Sequence, residues 1–299
     1  MSSLCEVRLE GGAEDALEDA ATRAIDEVRR IEVKYSRYRP DSIVSRINAA
    51  AGTGRPIEID DETAALMAFA GQLHDLSDGL FDITSGVLRK AWDFRAGRVP
   101  TDGELQSLLP LIGWSQVAFN DGHIHLPRTG MELDFGGFGK EYAADRAMAI
   151  LATAGQRHGF VNLGGDIRVL GARSDGRAWR FGIQHPRRAE GTIASVDMID
   201  GALASSGDYE RFFELDGRRY CHVLDPRTGW PVSAWSSVSV TAPACVAAGA
   251  LTTIAMLKGE QALDFLNTQS STYLAADTSL RMFHHELADA RQFVHGETQ

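Results

Sequence analysis

Four segments of this 299-residue chain combine glycine with small side chains, three of them with carboxylates as well, in ways that could serve a phosphate-bearing ligand. In Leu133-Asp134-Phe135-Gly136-Gly137-Phe138-Gly139-Lys140-Glu141-Tyr142-Ala143-Ala144-Asp145, a strand over 131–135 is expected to run through glycines into a helix. Such a turn aims backbone N–H groups and the positive helix end at an anion, and Lys140 adds a cation. The spacing Gly-Gly-x-Gly is neither a dinucleotide fingerprint nor a P-loop. A tight strand–helix turn with a surface lysine would explain it as well. In Val161-Asn162-Leu163-Gly164-Gly165-Asp166-Ile167, a Gly-Gly step precedes a carboxylate, which allows close approach of a ligand or simply a bulge.

The third segment joins Ala204-Ser205-Ser206-Gly207-Asp208-Tyr209 to Tyr220-Cys221-His222-Val223-Leu224-Asp225-Pro226-Arg227-Thr228-Gly229. Asp-Pro-Arg-Thr-Gly reads as a turn, with proline fixing φ and glycine taking the positive-φ position. His222, on the strand feeding it, is either a hydrogen-bonded structural residue or a titratable group between two polar loops. The fourth, Ala242-Pro243-Ala244-Cys245-Val246-Ala247-Ala248-Gly249-Ala250-Leu251-Thr252-Thr253-Ile254-Ala255, reads as a buried packing helix whose only side-chain oxygens are Thr252 and Thr253.

These segments need elements to hold them. Ala16, Leu17, Ala20, Ala24, Ile25, Val28 and Ile31 recur at helical spacing and predict a helix over 13–38, ended by Arg39-Pro40. A short helix or turn over 42–48 follows, then a helix over 61–76 capped by Asp60 or Asp61. Residues 79–86 read as a loop with glycine at both ends. Asn120-Asp121-Gly122, within an alternating stretch over 117–126, marks a hairpin. A helix is expected over 140–154 and a strand over 159–163. Strands and turns fill 168–241, and helices are expected over 246–257 and 260–266. The order is not a regular β-α-β alternation, so the fold class is α+β. Residues 288–299 read as a frayed polar tail.

The net charge of -11 argues against broad nucleic-acid binding, which needs a basic surface. Any phosphate site must therefore be local, built from backbone N–H groups, a few cations or a metal. No apolar run approaches the roughly 20 residues of a membrane span. The three cysteines, Cys5, Cys221 and Cys245, lack metal or disulfide spacing and are expected to be buried thiols. The remaining histidines show no metal-ligand spacing. Without a signal peptide at its start, the chain is expected in the cytoplasm.

Taken in order, the four segments resemble the ApbE-type FAD:protein FMN transferases. Tyr35-Ser36-Arg37-Tyr38-Arg39-Pro40-Asp41-Ser42-Ile43-Val44-Ser45-Arg46-Ile47-Asn48 is similar to that family's Ser-x-Tyr…Ser…Asn segment, and Gly79-Leu80-Phe81-Asp82-Ile83-Thr84 to its Gly-Ala-Phe-Asp-x-Thr loop. The match runs over about residues 7–259, within a single domain expected to occupy 1–299. The resemblance implies a T-fold-like core of mixed or antiparallel sheet with packed helices and an FAD cleft between its parts. It implies FAD as substrate, Mg²⁺ as cofactor, and an acceptor flavoprotein whose Thr or Ser receives FMN as AMP leaves. By position it places FAD contacts at Tyr38, Leu80, Phe81, Asp82, Asp134, Lys140 and Val223. It places the metal near the Gly137 carbonyl and the Thr253 hydroxyl, with His222 standing where a base could take the acceptor's proton. Two other readings stand beside it: an FAD pyrophosphatase releasing FMN and AMP, and an FAD-binding protein that has lost catalysis.

The chain departs from the family pattern at the metal. Where members carry Ala-Asp, with the aspartate a principal ligand, this chain has Ala248-Gly249; where a glycine usually follows the lysine, it has Glu141. Either Glu141 replaces the missing ligand or it is a solvated first-turn residue favoured by the helix dipole. The usual Met-Gly-Thr opening and leader are also missing from the start, Met1-Ser2-Ser3-Leu4-Cys5, which predicts either a leaderless variant or a trimmed start.

Overall fold

The computed structural model of the protein describes residues 4–120, 122–286 and 293–295. The chain divides into two compact units. A sheet unit comprises Met1–Glu32, Phe138–Tyr209 and Ser233–Gln299; a loop unit comprises Val33–Gly137 and Glu210–Val232. In chain order the elements begin with β1 (Cys5–Leu9), α1 (Glu14–Tyr35), α2 (Ile43–Ala49), β2 (Ile57–Glu58) and α3 (Asp61–Leu76). Next come α4 (Asp102–Leu108), β3 (Ala118–Asn120), β4 (His123–His125), α5 (Gly139–Thr153), β5 (Gly159–Leu163) and β6 (Asp166–Leu170). They continue with β7 (Trp179–Gln184), β8 (Thr192–Met198), β9 (Gly201–Gly207), β10 (Phe212–Leu215), β11 (Arg218–Cys221) and β12 (Trp235–Ala242). The last are α6 (Cys245–Lys258), α7 (Ala262–Thr268), β13 (Thr272–Asp277), β14 (Met282–His285) and β15 (Phe293–His295).

The sheet unit is built on a seven-stranded antiparallel sheet in the order β1-β5-β6-β9-β12-β13-β14. Strand alternation gives it two different faces. Phe160, Ile167, Val169, Leu203 and Leu274 pack with Trp179, Phe181, Ile183, Val196 and Met198 of β7 and β8, which belong to a second, three-stranded sheet. The alternate residues face α5 and α6: Ser206 bonds Thr252, while Asp166 and Arg168 meet Lys140 and Asp145. The expected α+β class with an antiparallel core is observed.

In the loop unit, a cluster of Leu88, Ala91, Trp92, Leu105 and Tyr220 gathers Phe94, Phe213, Leu224 and Trp230 around it. The Trp92 indole N–H donates to the Gly229 carbonyl at 2.8 Å, which ties the 225–229 turn to this core. That turn forms as expected, with Gly229 at φ 74° and its N–H donating to Asp225 O at 2.7 Å.

Several expected elements differ. α1 stops at Tyr35 because the Ser36 hydroxyl accepts the Tyr38 N–H and turns the chain. Residues 131–135 form no strand: the Leu133 backbone is gripped on both sides by the Asn48 amide, and the Asp134 N–H donates to Ile83 O. The 79–86 loop passes into a 3₁₀ helix, Ile83–Lys90, capped by Asp82. Gly164 and Gly165, at φ 65° and 97°, form the two-residue turn joining β5 to β6 and not a bulge. Cys5 is exposed, whereas Cys221 and Cys245 are buried, and none of the three is in a disulfide. β3 and β4 pair as expected, while Asp121 at their turn and the 288–299 tail, apart from β15, lie outside the described residues.

Candidate active site

In the loop unit the residues singled out above are held mainly by backbone capping. Asp82 is buried, and its carboxylate accepts from the Thr84 N–H at 2.8 Å, the Thr84 hydroxyl at 2.6 Å and the Trp114 N–H at 2.9 Å. Leu80 and Phe81 are buried. The Phe81 N–H donates to Ser77 Oγ at 2.7 Å, and its ring lies 2.9 Å from where a Cβ on Gly137 would stand. Gly137 must therefore be glycine for the chain to pass over that ring.

Asp134 sits against Gly86, where a Cβ would come within 2.5 Å of the Asp134 Cβ. Its carboxylate accepts from the Gly136 N–H at 2.9 Å and is ion-paired with Arg37. Arg37 also donates to the Tyr38 hydroxyl at 2.9 Å. That hydrogen bond lowers the phenol's pKa, with Arg211 acting in the same direction. Tyr38 is 75% exposed, with the Arg37 guanidinium 5.0 Å from its ring centroid, which leaves the ring's other face to meet a planar ligand. Arg37, which sequence reasoning passed over, thus joins two of the expected FAD contacts. Its only signal was its place between Ser36 and Tyr38 in the quoted segment. The Arg211 carbonyl accepts the His222 N–H at 3.0 Å, and the Val223 carbonyl accepts the Val232 N–H at 3.0 Å, so both residues sit at the base of the 225–229 turn.

The sheet unit carries the buried charge. Lys140, in the first turn of α5, pairs with Asp166 at 2.5 Å; the lysine side chain is 32% exposed and the aspartate 4%. Glu141, next along α5, is buried, and its Oε2 has no hydrogen-bond partner among the described residues. The reading of Glu141 as a solvated first-turn residue is therefore overturned. Burial, then the Asp166 charge, push its carboxyl pKa up against the pull of Lys140. Asp145, one turn on, reaches across to α6 and accepts from the Cys245 and Val246 N–H groups, both at 2.9 Å. It fixes the start of α6, and Arg168 pairs with it at 3.3 Å.

On α6, Gly249 and Thr253 lie one turn apart on one face. Thr252 donates to Gly249 O at 2.9 Å, and Ser206 of β9 lies 2.8 Å from Thr252 Oγ1 and 3.4 Å from Thr253 Oγ1. Among the described residues, no three His, Cys, Asp or Glu side chains are gathered to hold a metal. A cation here would rest on one buried carboxylate oxygen together with hydroxyl and carbonyl oxygens. Those are hard donors of the kind magnesium takes, so the residues fit it. Asp166, whose charge acts on Glu141, and Ser206, which meets Thr252 and Thr253, are contacts that the sequence alone did not show.

Comparisons with known proteins agree with this architecture. The FAD:protein FMN transferase of Vibrio cholerae is 31% identical over 251 residues, covering 82% of this chain and 74% of that protein. The FAD:protein FMN transferase of Treponema pallidum is 32% identical over 279 residues, covering 87% and 77%. Among solved structures, the ApbE protein of Thermotoga maritima superposes with a TM-score of 0.86 at 29% identity, over 95% of this chain and 97% of that one. The apo flavinyl transferase ApbE of Pseudomonas stutzeri gives 0.82 at 27% identity, over 99% and 92%. With the ApbE family model matching residues 1–275 besides, this chain belongs to the ApbE family.

Proposed function

We infer that this chain is an FAD:protein FMN transferase. The observation that carries the reading is the agreement of relatives bearing that name over most of both chains, at 31–32% identity. In the reaction we propose, a Thr or Ser hydroxyl of the acceptor flavoprotein attacks the FMN phosphorus of FAD. A new P–O bond forms, the bond to the bridging oxygen breaks, and AMP leaves with that oxygen. His222 takes the hydroxyl proton.

Tyr38, Leu80, Phe81, Asp82, Asp134, Lys140 and Val223 are the residues we assign to FAD. Leu80 and Phe81 are buried, so they would meet it through backbone. Lys140 would share its ammonium between the ligand and Asp166. Magnesium, when bound, would supply charge stabilisation at the pyrophosphate oxygens. The Gly137 carbonyl, the Thr253 hydroxyl and Glu141 are the groups we assign to hold it. The unpartnered Glu141 Oε2 supports that choice. No helix among the described residues is long and apolar enough to cross a membrane. We place the enzyme in the cytoplasm, where its three thiols stay reduced.

The test is incubation with FAD and Mg²⁺, with and without a candidate acceptor, following AMP, free FMN and in-gel flavin fluorescence. A fluorescent acceptor band with stoichiometric AMP is expected. AMP and free FMN regardless of acceptor would instead identify a pyrophosphatase, and bound FAD without turnover would refute catalysis.

A further inference from the structure

A glycine in the middle of a helix costs about 1 kcal/mol relative to alanine, so Gly249 needs a reason to be there. Its backbone does not supply one, since it is helical and absent from the positive-φ glycines. Its surroundings do. A Cβ at position 249 would lie 2.6 Å from Glu141 Cγ, 2.8 Å from Oε1 and 2.9 Å from Cδ. Glu141 has little room to withdraw, because it is 7% exposed where α5 packs on α6. The volume a side chain on α6 would occupy is filled by a side chain arriving from α5.

The same carboxylate carries the orphaned oxygen. A buried carboxylate oxygen without a donor is expensive, and the cost is relieved when a cation or a proton reaches it. Lys140 does not satisfy it, being engaged with Asp166 at 2.5 Å. The Thr253 hydroxyl, one turn beyond Gly249 on the same helix face, adds a second hard oxygen.

We propose that Glu141 and Gly249 form one exchangeable unit: Gly249 is glycine so that α5 can deliver the carboxylate, and Glu141 presents its unpartnered oxygen to a divalent cation. The inference rests on the magnesium reading above and deepens it, because it names the pair of positions between which the ligand carboxylate can be moved. It makes Glu141→Gly with Gly249→Asp a compensating change, although each substitution alone is harmful.

The test uses the full chain without FAD, with Mg²⁺ and Mn²⁺ as probes, and reads Tm and calorimetric binding for Glu141→Gln, Gly249→Asp and the Glu141→Gly/Gly249→Asp double variant. Wild type should gain Tm on adding Mg²⁺. Glu141→Gln, nearly isosteric, should keep the metal-free Tm and lose that gain. Gly249→Asp should lower Tm by on the order of 5 °C through overpacking. The double variant should recover both the Tm and the Mg²⁺ response. An undiminished Mg²⁺ gain in Glu141→Gln would overturn the ligand assignment. With Glu141→Gly measured alone as well, a double variant no more stable than the sum of Glu141→Gly and Gly249→Asp would overturn the pairing. FMN transfer assayed on wild type keeps this apart from the functional reading: transfer alongside either overturning result fails only the Glu141–Gly249 unit.

Discussion

The loop unit and the sheet unit both bury carboxylates, but they treat them differently. In the loop unit, Asp82 accepts three hydrogen bonds, two of them from backbone, and Asp134 is held by Gly136 N–H and Arg37. These side chains build the loops they sit in. In the sheet unit, Asp166 and Glu141 are delivered to one place by different elements, Lys140 pairs with Asp166, and Glu141 Oε2 is left without a donor among the described residues. A carboxylate whose acceptors are filled stabilises the chain around it, whereas one left short is poised for something that arrives later. The family relationship bears on the difference, since FAD brings a pyrophosphate to the protein and the magnesium proposed above would bring a cation.

The largest expected effect comes from unbalancing the sheet-unit cluster. Asp166→Ala leaves Lys140 in a mostly buried position without its 2.5 Å partner. Denaturant unfolding should show a loss of about 3 kcal/mol, the low end for a broken buried pair because the lysine is partly exposed. A loss below about 1 kcal/mol would mean that Glu141 takes over as counter-ion, and the two carboxylates would then be interchangeable. In the loop unit, Asp82→Ala orphans the Trp114 and Thr84 N–H groups and uncaps the 3₁₀ helix. About 2 kcal/mol should be lost. Arg37→Met is milder, about 1 kcal/mol, since Asp134 keeps its bond to Gly136 and the aliphatic stem is preserved. Its sharper readout is FAD affinity, which should fall as Tyr38 and Asp134 lose their shared donor; unchanged affinity would remove Arg37 from the site.

Much of this was legible locally. Helical periodicity located α1, a capping aspartate marked α3, the glycine turn announced α5, small-residue composition marked α6, and Asn120-x-Gly122 located the β3–β4 hairpin. α4 was not expected above: its seven residues are too few for periodicity to reveal, and the capping box Thr101-x-x-Glu104 was its one local signal. Residues 131–135 look like a strand because Met131, Leu133 and Phe135 alternate with Glu132 and Asp134, but the partner they find is the Asn48 amide, far back in the chain. The same limit governs the site. The capping role of Asp82 toward Thr84 is a two-residue matter that the sequence carries. The burial of Glu141 is not, because it depends on α6 placing a glycine against α5. The sequence shows a carboxylate gained at 141 and another missing at 249; that one occupies the space of the other is visible only in three dimensions.

The smallest effect sharpens the comparison most, because it separates unit from bonding. Glu27 lies in the sheet unit, yet it is satisfied like the loop-unit carboxylates: Arg30 donates to it from the next turn at 2.8 and 2.9 Å, and Arg146 of α5 at 3.1 Å. The Arg30 hydrogen bond, then that of Arg146, holds its carboxyl pKa below the ordinary 4.5, although burial opposes them. For a carboxylate depressed in the folded state, the unfolded chain binds the proton more readily, so the stabilisation is present above the ordinary value. It is lost as pH falls from there through the depressed folded pKa. Glu27→Gln should therefore cost no more than about 1 kcal/mol at neutral pH. The gap from wild type should close as the medium is acidified below the ordinary glutamate range. Glu141 sits in the same unit with the opposite shift, its pKa raised. If stability curves of wild type and Glu27→Gln stayed parallel down to acid pH, the bonding state of each carboxylate would not be what distinguishes these sites, and the contrast between the units would have to rest on burial alone.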